Sequence, residues 1–290
     1  MTIRQTNRLT EEQTKEIREL ERICTEADGA DSRISLDNGI NYVKDMDSFF
    51  LLYEGGSLRG LISVFAPMQD VAEISSCVHP EYRRQGYFRR LLAAACASLM
   101  GHGYEKLLLV HEASTPVGKA IAQKWGLEIE HSEYLLHYKG GIPAPQDDRI
   151  TVRYAQESDI PQMAQLSSET FGEKLDEARN LIESAFKDEN RHNFVVLMDG
   201  DMVGIGGVNT GDPELYIFGL GISPQHQNKG IGRVMLQKII AELQKSYDRG
   251  IVLEVDSENA RAFHLYTTSG FEVRTQYDYY EARTADYQED

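Results

Sequence analysis

Residues 223–236 read SPQHQNKGIGRVML and follow the apolar run ELYIFGLGI at 214–222. A strand that meets Pro224 and restarts as a helix needs a turn, and Gly230 and Gly232 supply one. With no Cβ in the way, successive backbone N–H groups can converge on one point at the positive end of a helix dipole. Such a nest suits an anion, most often phosphate. Two glycines alone fit an ordinary tight turn equally well, so the rest of the chain has to separate the readings.

The chain repeats itself. HPEYRRQGYFRRLL at 79–92 aligns with SPQHQNKGIGRVML at 223–236, an offset of 144 residues (224 − 80) that matches Pro80 to Pro224 and Gly86 to Gly230. The same shift carries Gly60 onto Gly204, Val64 onto Val208 and Gly126 onto Gly270 without a gap. Isolated glycines do not hold one register over such a stretch by accident, so two copies of one domain are expected. Residues 1–140 form the first and 150–290 the second, joined by a linker at 141–149 within KGGIPAPQDDR.

The second copy predicts a strand at TVRYA, then two helices between Asp159 and Phe186, the first opened by Ser158-Asp159-Ile160-Pro161. NFVVLMDG and DMVGIGGVN flank a hairpin turn at Asp199-Gly200-Asp201. The strand ELYIFGLGI, a helix from Gly230 to Tyr247, the strand GIVLEV, a helix from Asn259 to Thr268 and the strand FEVRTQYDYY complete it. This order implies an α/β fold with mixed layers.

Bulk composition narrows the function. The chain has 290 residues, of which 41% are hydrophobic, enough for two domains with cores of their own. No run approaches a membrane span and the start MTIRQTNRLTEEQ has no secretory apolar segment, so a cytoplasmic protein without membrane partners is expected. Cys24, Cys77 and Cys96 are odd in number and scattered, and the eight histidines form no ligand-spaced cluster, which predicts free thiols and no metal. The net charge of −16 disfavours nucleic acid and would steer a cationic partner, although segments such as EEQTKEIRELER also fit solvated helix faces.

These residues resemble the GCN5-related N-acetyltransferase (GNAT) superfamily. The second copy carries the acyl-CoA signature Gln-x-x-Gly-x-Gly as Gln227, Gly230 and Gly232, after a strand ending Leu220-Gly221-Ile222-Ser223-Pro224. Its downstream segment LEVDSENARAFHLYTTSGFEV at 253–273 is similar to enzymes that acetylate the N-terminal alanine of a ribosomal protein, with Glu254, Asn259, Tyr266 and Gly270-Phe271 in matching spacing. The resemblance implies two tandem domains of this fold, each a mixed sheet with two strands splayed to admit the pantetheine arm of acetyl-CoA, the co-substrate. Backbone groups of Leu220, Gly221 and Ile222 would pair with that arm. Those of Asn228, Lys229, Gly230, Ile231, Gly232 and Arg233 would hold the pyrophosphate, with Gln227 and Asn259 also at the cofactor.

Acetyl transfer needs a neutral amine, whereas an α-amino group titrates near ~8 and a lysine near ~10.4, so a base must accept a proton and an acid must attend the departing thiolate. Tyr266, two helical turns after Asn259, is the acid candidate, the alternative being a core tyrosine bonded to a carbonyl. Glu254, a carboxylate inside an apolar strand, needs a partner or a task. By resemblance it is the base, directly or through water, and a structural salt bridge is the alternative. Asn259 fits a helix N-cap as well as a cofactor contact. His226 and Lys229 could add charge or decorate the surface.

The 144 shift places Val110 at Glu254, Thr115 at Asn259, Ala122 at Tyr266 and Phe88 at Gly232, so the first copy is expected to be degenerate. It keeps Arg83, Arg84, Gly86, Arg89 and Arg90, while Phe88 sets a ring where phosphate should approach; Glu112 is a weak substitute base. The expected function is acetyl-CoA-dependent N-acetylation of a primary amine in the second copy, on a small molecule or a peptide. A CoA-binding tandem module that regulates a partner without turnover is the alternative. The acceptor and the oligomeric state, including a monomer of two pseudo-symmetric domains, stay open.

Overall fold

The structure is a computed structural model that describes residues 1–30, 34–141 and 147–287. Most of the expected linker, 142–146, lies outside the described residues. In chain order the elements are β1 (Thr2–Thr6), α1 (Glu11–Asp28), β2 (Phe49–Glu54), β3 (Ser57–Phe65), β4 (Val71–Val78), α2 (Tyr87–Gly101), β5 (Lys106–Glu112), α3 (Pro116–Trp125) and β6 (Ile129–Tyr138). The second series is β7 (Ile150–Tyr154), α4 (Ile160–Phe171), α5 (Leu175–Lys187), β8 (Arg191–Met198), β9 (Asp201–Asn209), β10 (Leu215–Ile222), α6 (Ile231–Ser246), β11 (Ile251–Asp256), α7 (Ala260–Thr267) and β12 (Phe271–Arg283). The repeat is visible residue by residue: β4 and β10, and β3 and β9, have identical bounds once shifted by 144.

Two compact units form, one of residues 1–132 with 275–290 and one of residues 133–274. Relative to the segments 1–140 and 150–290, residues 133–140 pack with the second unit and 275–290 with the first. In the first unit β5 pairs antiparallel with β12, from Tyr277 opposite Glu112 to Arg283 opposite Lys106. In the second, β11 pairs antiparallel with β6, from Val252 opposite His137 to Asp256 opposite Glu133. Each unit thus takes its closing strand from the other repeat, and the pairing registers are equivalent under the 144 shift.

The second unit is built on β6, β11, β10, β9, β8 and β7 in that order. Helix α6 covers it with Leu236, Ile239, Ile240 and Leu243, one i, i+3, i+4, i+7 face that is buried against Ile217, Leu253 and Phe271. Burying each such side chain contributes about 1.5–3 kcal/mol. The β8–β9 turn has Asp199 and Gly200 both at positive φ, the twist that a two-residue hairpin requires.

Strand β10 carries the feature that shapes the site. Its register with β9 slips by one residue between Phe218 and Gly221, with Gly219 at φ +60°. This bulge presses Leu220 and Phe218 against β9, where Gly206 and Gly207 leave room: a Cβ would lie 2.7 Å from Leu220 and 2.4 Å from Phe218. The parallel pairing of β10 with β11 ends at Ile217 opposite Leu253. Beyond that point the two strands part. The first unit repeats the divergence, since β4 and β5 pair only as far as Ile74 opposite Leu109.

Candidate active site

The turn after β10 runs through a single 3-10 turn, Pro224–His226, and then Asn228 at φ +61° and Gly230 at φ +78° before α6 starts. The two glycines have different reasons. Gly230 is demanded by the backbone, since it stands at the helix N-cap in the left-handed region. Gly232 lies inside the helix, and a Cβ there would make only ordinary contacts, 3.4 Å to Leu265 and 3.9 Å to Ile222. Neither conformation nor packing explains that glycine, which leaves a space beside the helix start that a methyl would fill.

The start of α6 is also without a side-chain cap. The first turn of α6 has no acidic residue, whereas α1 has a Thr10–Gln13 capping box and Glu11 and Glu12 in its first turn. The leading N–H groups of α6 are therefore left for a ligand or water. Gln227 braces this turn: its Nε2 donates to the Ile222 carbonyl at 3.0 Å and its Oε1 accepts from Arg261 at 2.7 Å. Arg233 donates to the Thr268 hydroxyl at 2.5 Å, and Ser223 Oγ lies 2.8 Å from His226 Nδ1. Lys229 is exposed on the turn.

The Ser223 N–H donates to Val203 at 2.9 Å, so strand alternation turns Gly221 toward β9 as well and sends the N–H and C=O of Leu220 and Ile222 to the other side, where β11 has diverged. Leu220 and Ile222 thus direct their backbone groups toward the gap, where the Ile222 carbonyl accepts from Gln227. Gly221 directs its own toward β9, and a Cβ there would lie 2.9 Å from the Phe171 ring and 3.1 Å from Thr170, at the end of α4.

Glu254 is the first residue of β11 past its last pairing with β10. Its carboxylate accepts from the Tyr216 hydroxyl at 2.8 Å. Tyr216 stands opposite Val252, so it shares a strand face with Glu254. Glu133, opposite Asp256 on β6, lies on that face too. Burial first, and then the charge of Glu133, push the Glu254 carboxyl up to about 7, against a weaker opposing effect of the Tyr216 hydrogen bond. The sequence reading missed Tyr216; its signal was one hydroxyl in an apolar strand, two positions out of step with the glutamate in the neighbouring strand.

Tyr266 is buried beside Phe271, with ring centroids 6.2 Å apart. Its hydroxyl bonds to no described residue, and burial pushes its pKa up to about 12, so it remains a proton donor at any ordinary pH. Asn259 caps α7, accepting from the Ala262 N–H at 3.1 Å. That bond occupies the carbonyl end of its side chain, and the amide end makes no bond to a described residue.

The first unit keeps the turn, with Val110 and Ala122 at the positions of Glu254 and Tyr266. Arg84 at φ +60° and Gly86 at φ +85° reproduce Asn228 and Gly230, and Arg83, the counterpart of Gln227, donates to the Val78 carbonyl at 2.9 Å as Gln227 does to Ile222. Phe88 stacks on Trp125, with centroids 5.6 Å apart. Glu112 is buried and accepts from Ser114 at 2.8 Å and Thr275 at 2.9 Å, which ties it into the fold. Among the described residues no group of histidine, cysteine and carboxylate side chains could hold a metal ion, and no helix is long and apolar enough to cross a membrane.

Known proteins share this architecture. A mycothiol acetyltransferase of Propionibacterium freudenreichii is 24% identical over 97% of this chain and 93% of its own. The [ribosomal protein bS18]-alanine N-acetyltransferase of Escherichia coli is 33% identical over 83 residues, and the matched region spans 56% of its length. Among solved structures, a GCN5-related N-acetyltransferase from Sphaerobacter thermophilus superposes with a TM-score of 0.76 at 18% identity, covering 98% of this chain and 95% of its own. A tandem GNAT protein from the clavulanic acid biosynthesis pathway gives 0.70 at 15% identity, covering 98% and 99%. The profile described as acetyltransferase (GNAT) family matches residues 14–125 and again 160–271. With both repeats matched and the tandem fold shared, the chain belongs to the acetyltransferase (GNAT) family.

Proposed function

We propose that the second unit transfers an acetyl group from acetyl-CoA to a primary amine, and that the first unit supports it without catalysing the reaction. The observation that carries this reading is Glu254, a carboxylate tuned to about 7 at the edge where β10 and β11 part. A base is most effective when its pKa lies near the working pH, and the first unit has Val110 in its place.

Acetyl-CoA, when bound, supplies the acetyl thioester. The space beside Gly232 and the N–H groups at the start of α6, within Asn228 to Arg233, would hold its phosphates, and the backbone of Leu220 and Ile222 that faces away from β9 would align its arm. Gln227 fixes the turn and Asn259 the start of α7. Glu254 accepts the proton that frees the amine lone pair, directly or through water, while Tyr216 orients its carboxylate. Tyr266 donates a hydrogen bond to the sulfur as the carbon–sulfur bond breaks. The exposed Phe171, at the end of α4, lies beside β10 at Gly221 on the acceptor's approach.

Small amines, polyamines and peptides with free N-termini form the acceptor panel, and CoA thiol release is the assay. Tyr266→Phe should retain acetyl-CoA affinity and lose about 10²–10⁴-fold in kcat, in line with a single positioned proton donor. Full activity in that variant would remove Tyr266 from the mechanism. Absence of turnover by the wild-type chain on every acceptor, with acetyl-CoA bound, would favour a binding module.

A further inference from the structure

The first unit holds a cavity of about 1030 Å³ that the reaction above does not use. It opens where β4 and β5 part, with residues 74–78 of one strand and 109–112 of the other in its walls. That volume stands at the upper end of the ~300–1,000 Å³ typical of small-molecule sites. The repeat accounts for it. Under the 144 shift Glu254, Tyr266 and Phe271 become Val110, Ala122 and Leu127, all of which line the cavity. A carboxylate and two rings have given way to smaller aliphatic groups.

The acidic groups and the histidine on the wall are engaged with the fold. Glu112 accepts from Ser114 at 2.8 Å and Thr275 at 2.9 Å. The His111 ring lies 3.0 Å from the Thr115 carbonyl and so close to α3 that a Cβ on Gly118 would fall 2.0 Å from it. Asp28 is held by Arg83 at 2.6 Å and Glu21 by Arg18 at 3.0 Å. An aliphatic body, which asks for no hydrogen-bond partner, suits such a wall. The opening, in contrast, is cationic. Arg84, Arg89 and Lys124 line it, are exposed, and form no ion pair with a described residue, in a chain whose net charge is −16. They favour an anionic head. A nucleotide phosphate is disfavoured, because Phe88 stands where α6 has Gly232 and its ring stacks on Trp125 with centroids 5.6 Å apart.

We propose that the first-unit cavity binds a fatty acid, with the hydrocarbon chain along Val110, Ala122 and Leu127 and the carboxylate among Arg84, Arg89 and Lys124. Burial of methylenes drives binding, and the carboxylate sets the orientation. No group of the cavity is asked to react, so the inference stands whether or not the second unit acetylates an amine.

Trp125, the one tryptophan of the chain, lines the cavity, so its emission reports occupancy. Full-length protein titrated with octanoate, decanoate and laurate below their micellar concentrations, with calorimetry in parallel, tests the proposal. One laurate should bind per chain and shift the Trp125 emission. Affinity should rise about fourfold for each added methylene, the equivalent of about 0.8 kcal/mol per buried CH2. Arg84→Asn, which installs the residue that the second unit carries at the same backbone angle, should weaken laurate about twofold to fivefold, the scale of one exposed ion pair. Ala122→Tyr should remove binding; if that chain melts well below wild type, the length series on wild type decides alone. Affinity that does not grow with chain length, no saturable Trp125 response at millimolar laurate, displacement of laurate by CoA, or a folded Ala122→Tyr that binds as wild type does would each overturn it.

Discussion

Among single residues, Glu254 carries the largest electrostatic cost at the site. A carboxyl whose folded pKa lies above its unfolded value favours the fold when it is protonated. The cost of ionising it grows as pH rises from the ordinary carboxylate range toward about 7 and is fully present above that. On the scale of 1.36 kcal/mol per unit, the buried charge costs up to roughly 3 kcal/mol at pH 8. Glu254→Gln keeps an acceptor for Tyr216 and removes the charge, so its thermal midpoint should match wild type near pH 5 and exceed it at pH 8. An equal offset at both pH values, followed by calorimetry, would deny that Glu254 titrates near neutrality. Stability gained together with activity lost is the signature of a site held under electrostatic strain.

At the scale of elements, the start of α6 separates folding from binding. Gly232 occupies a helical position with room for a methyl, and alanine is favoured over glycine in a helix by about 0.8–1.0 kcal/mol. Gly232→Ala should therefore leave the fold as stable or slightly more stable, while acetyl-CoA affinity falls about tenfold to a hundredfold, as expected when charge-assisted hydrogen bonds worth about 1.5–3 kcal/mol are displaced. Titration calorimetry beside a melting curve reads both; unchanged affinity would show that the glycine makes no room for phosphate. The strand, turn and helix here were legible in SPQHQNKGIGRVML because proline and glycine punctuate the chain locally, and the bounds of α6 and α7 fell within a residue of those expected. The β10 bulge and the inward turn of Gly221 were not legible. They follow from how β10 packs against Gly206 and Gly207 in β9 and against the end of α4, contacts that no local pattern encodes.

At the scale of the whole molecule, the repeat was plain from one constant offset, whereas the exchange of closing strands was hidden by it. β6 and β12 occupy equivalent places in the repeat, so either could close either unit in the same register, and nothing in their periodicity says which will do so. The exchange has a consequence for truncation. Deleting residues 275–290 removes only sequence from the second repeat, yet it takes Tyr280, Ala282 and Thr284 from the first unit, where Tyr280 and Ala282 belong to the core and Thr284 is buried. The first unit should become protease-sensitive while the second resists, by limited proteolysis with mass mapping; equal resistance of both would contradict the strand assignment. Whether the second unit transfers acetyl groups with Glu254 as base is read from the pH dependence of kcat/KM in wild type and in Glu254→Gln with one amine acceptor. Wild type should rise tenfold per pH unit until about 7, and the variant should be slower by about 10²–10⁴-fold without that inflection, both proteins sharing whatever titration belongs to the amine itself. An inflection near 7 that survives in Glu254→Gln, or a variant as fast as wild type, would contradict the account.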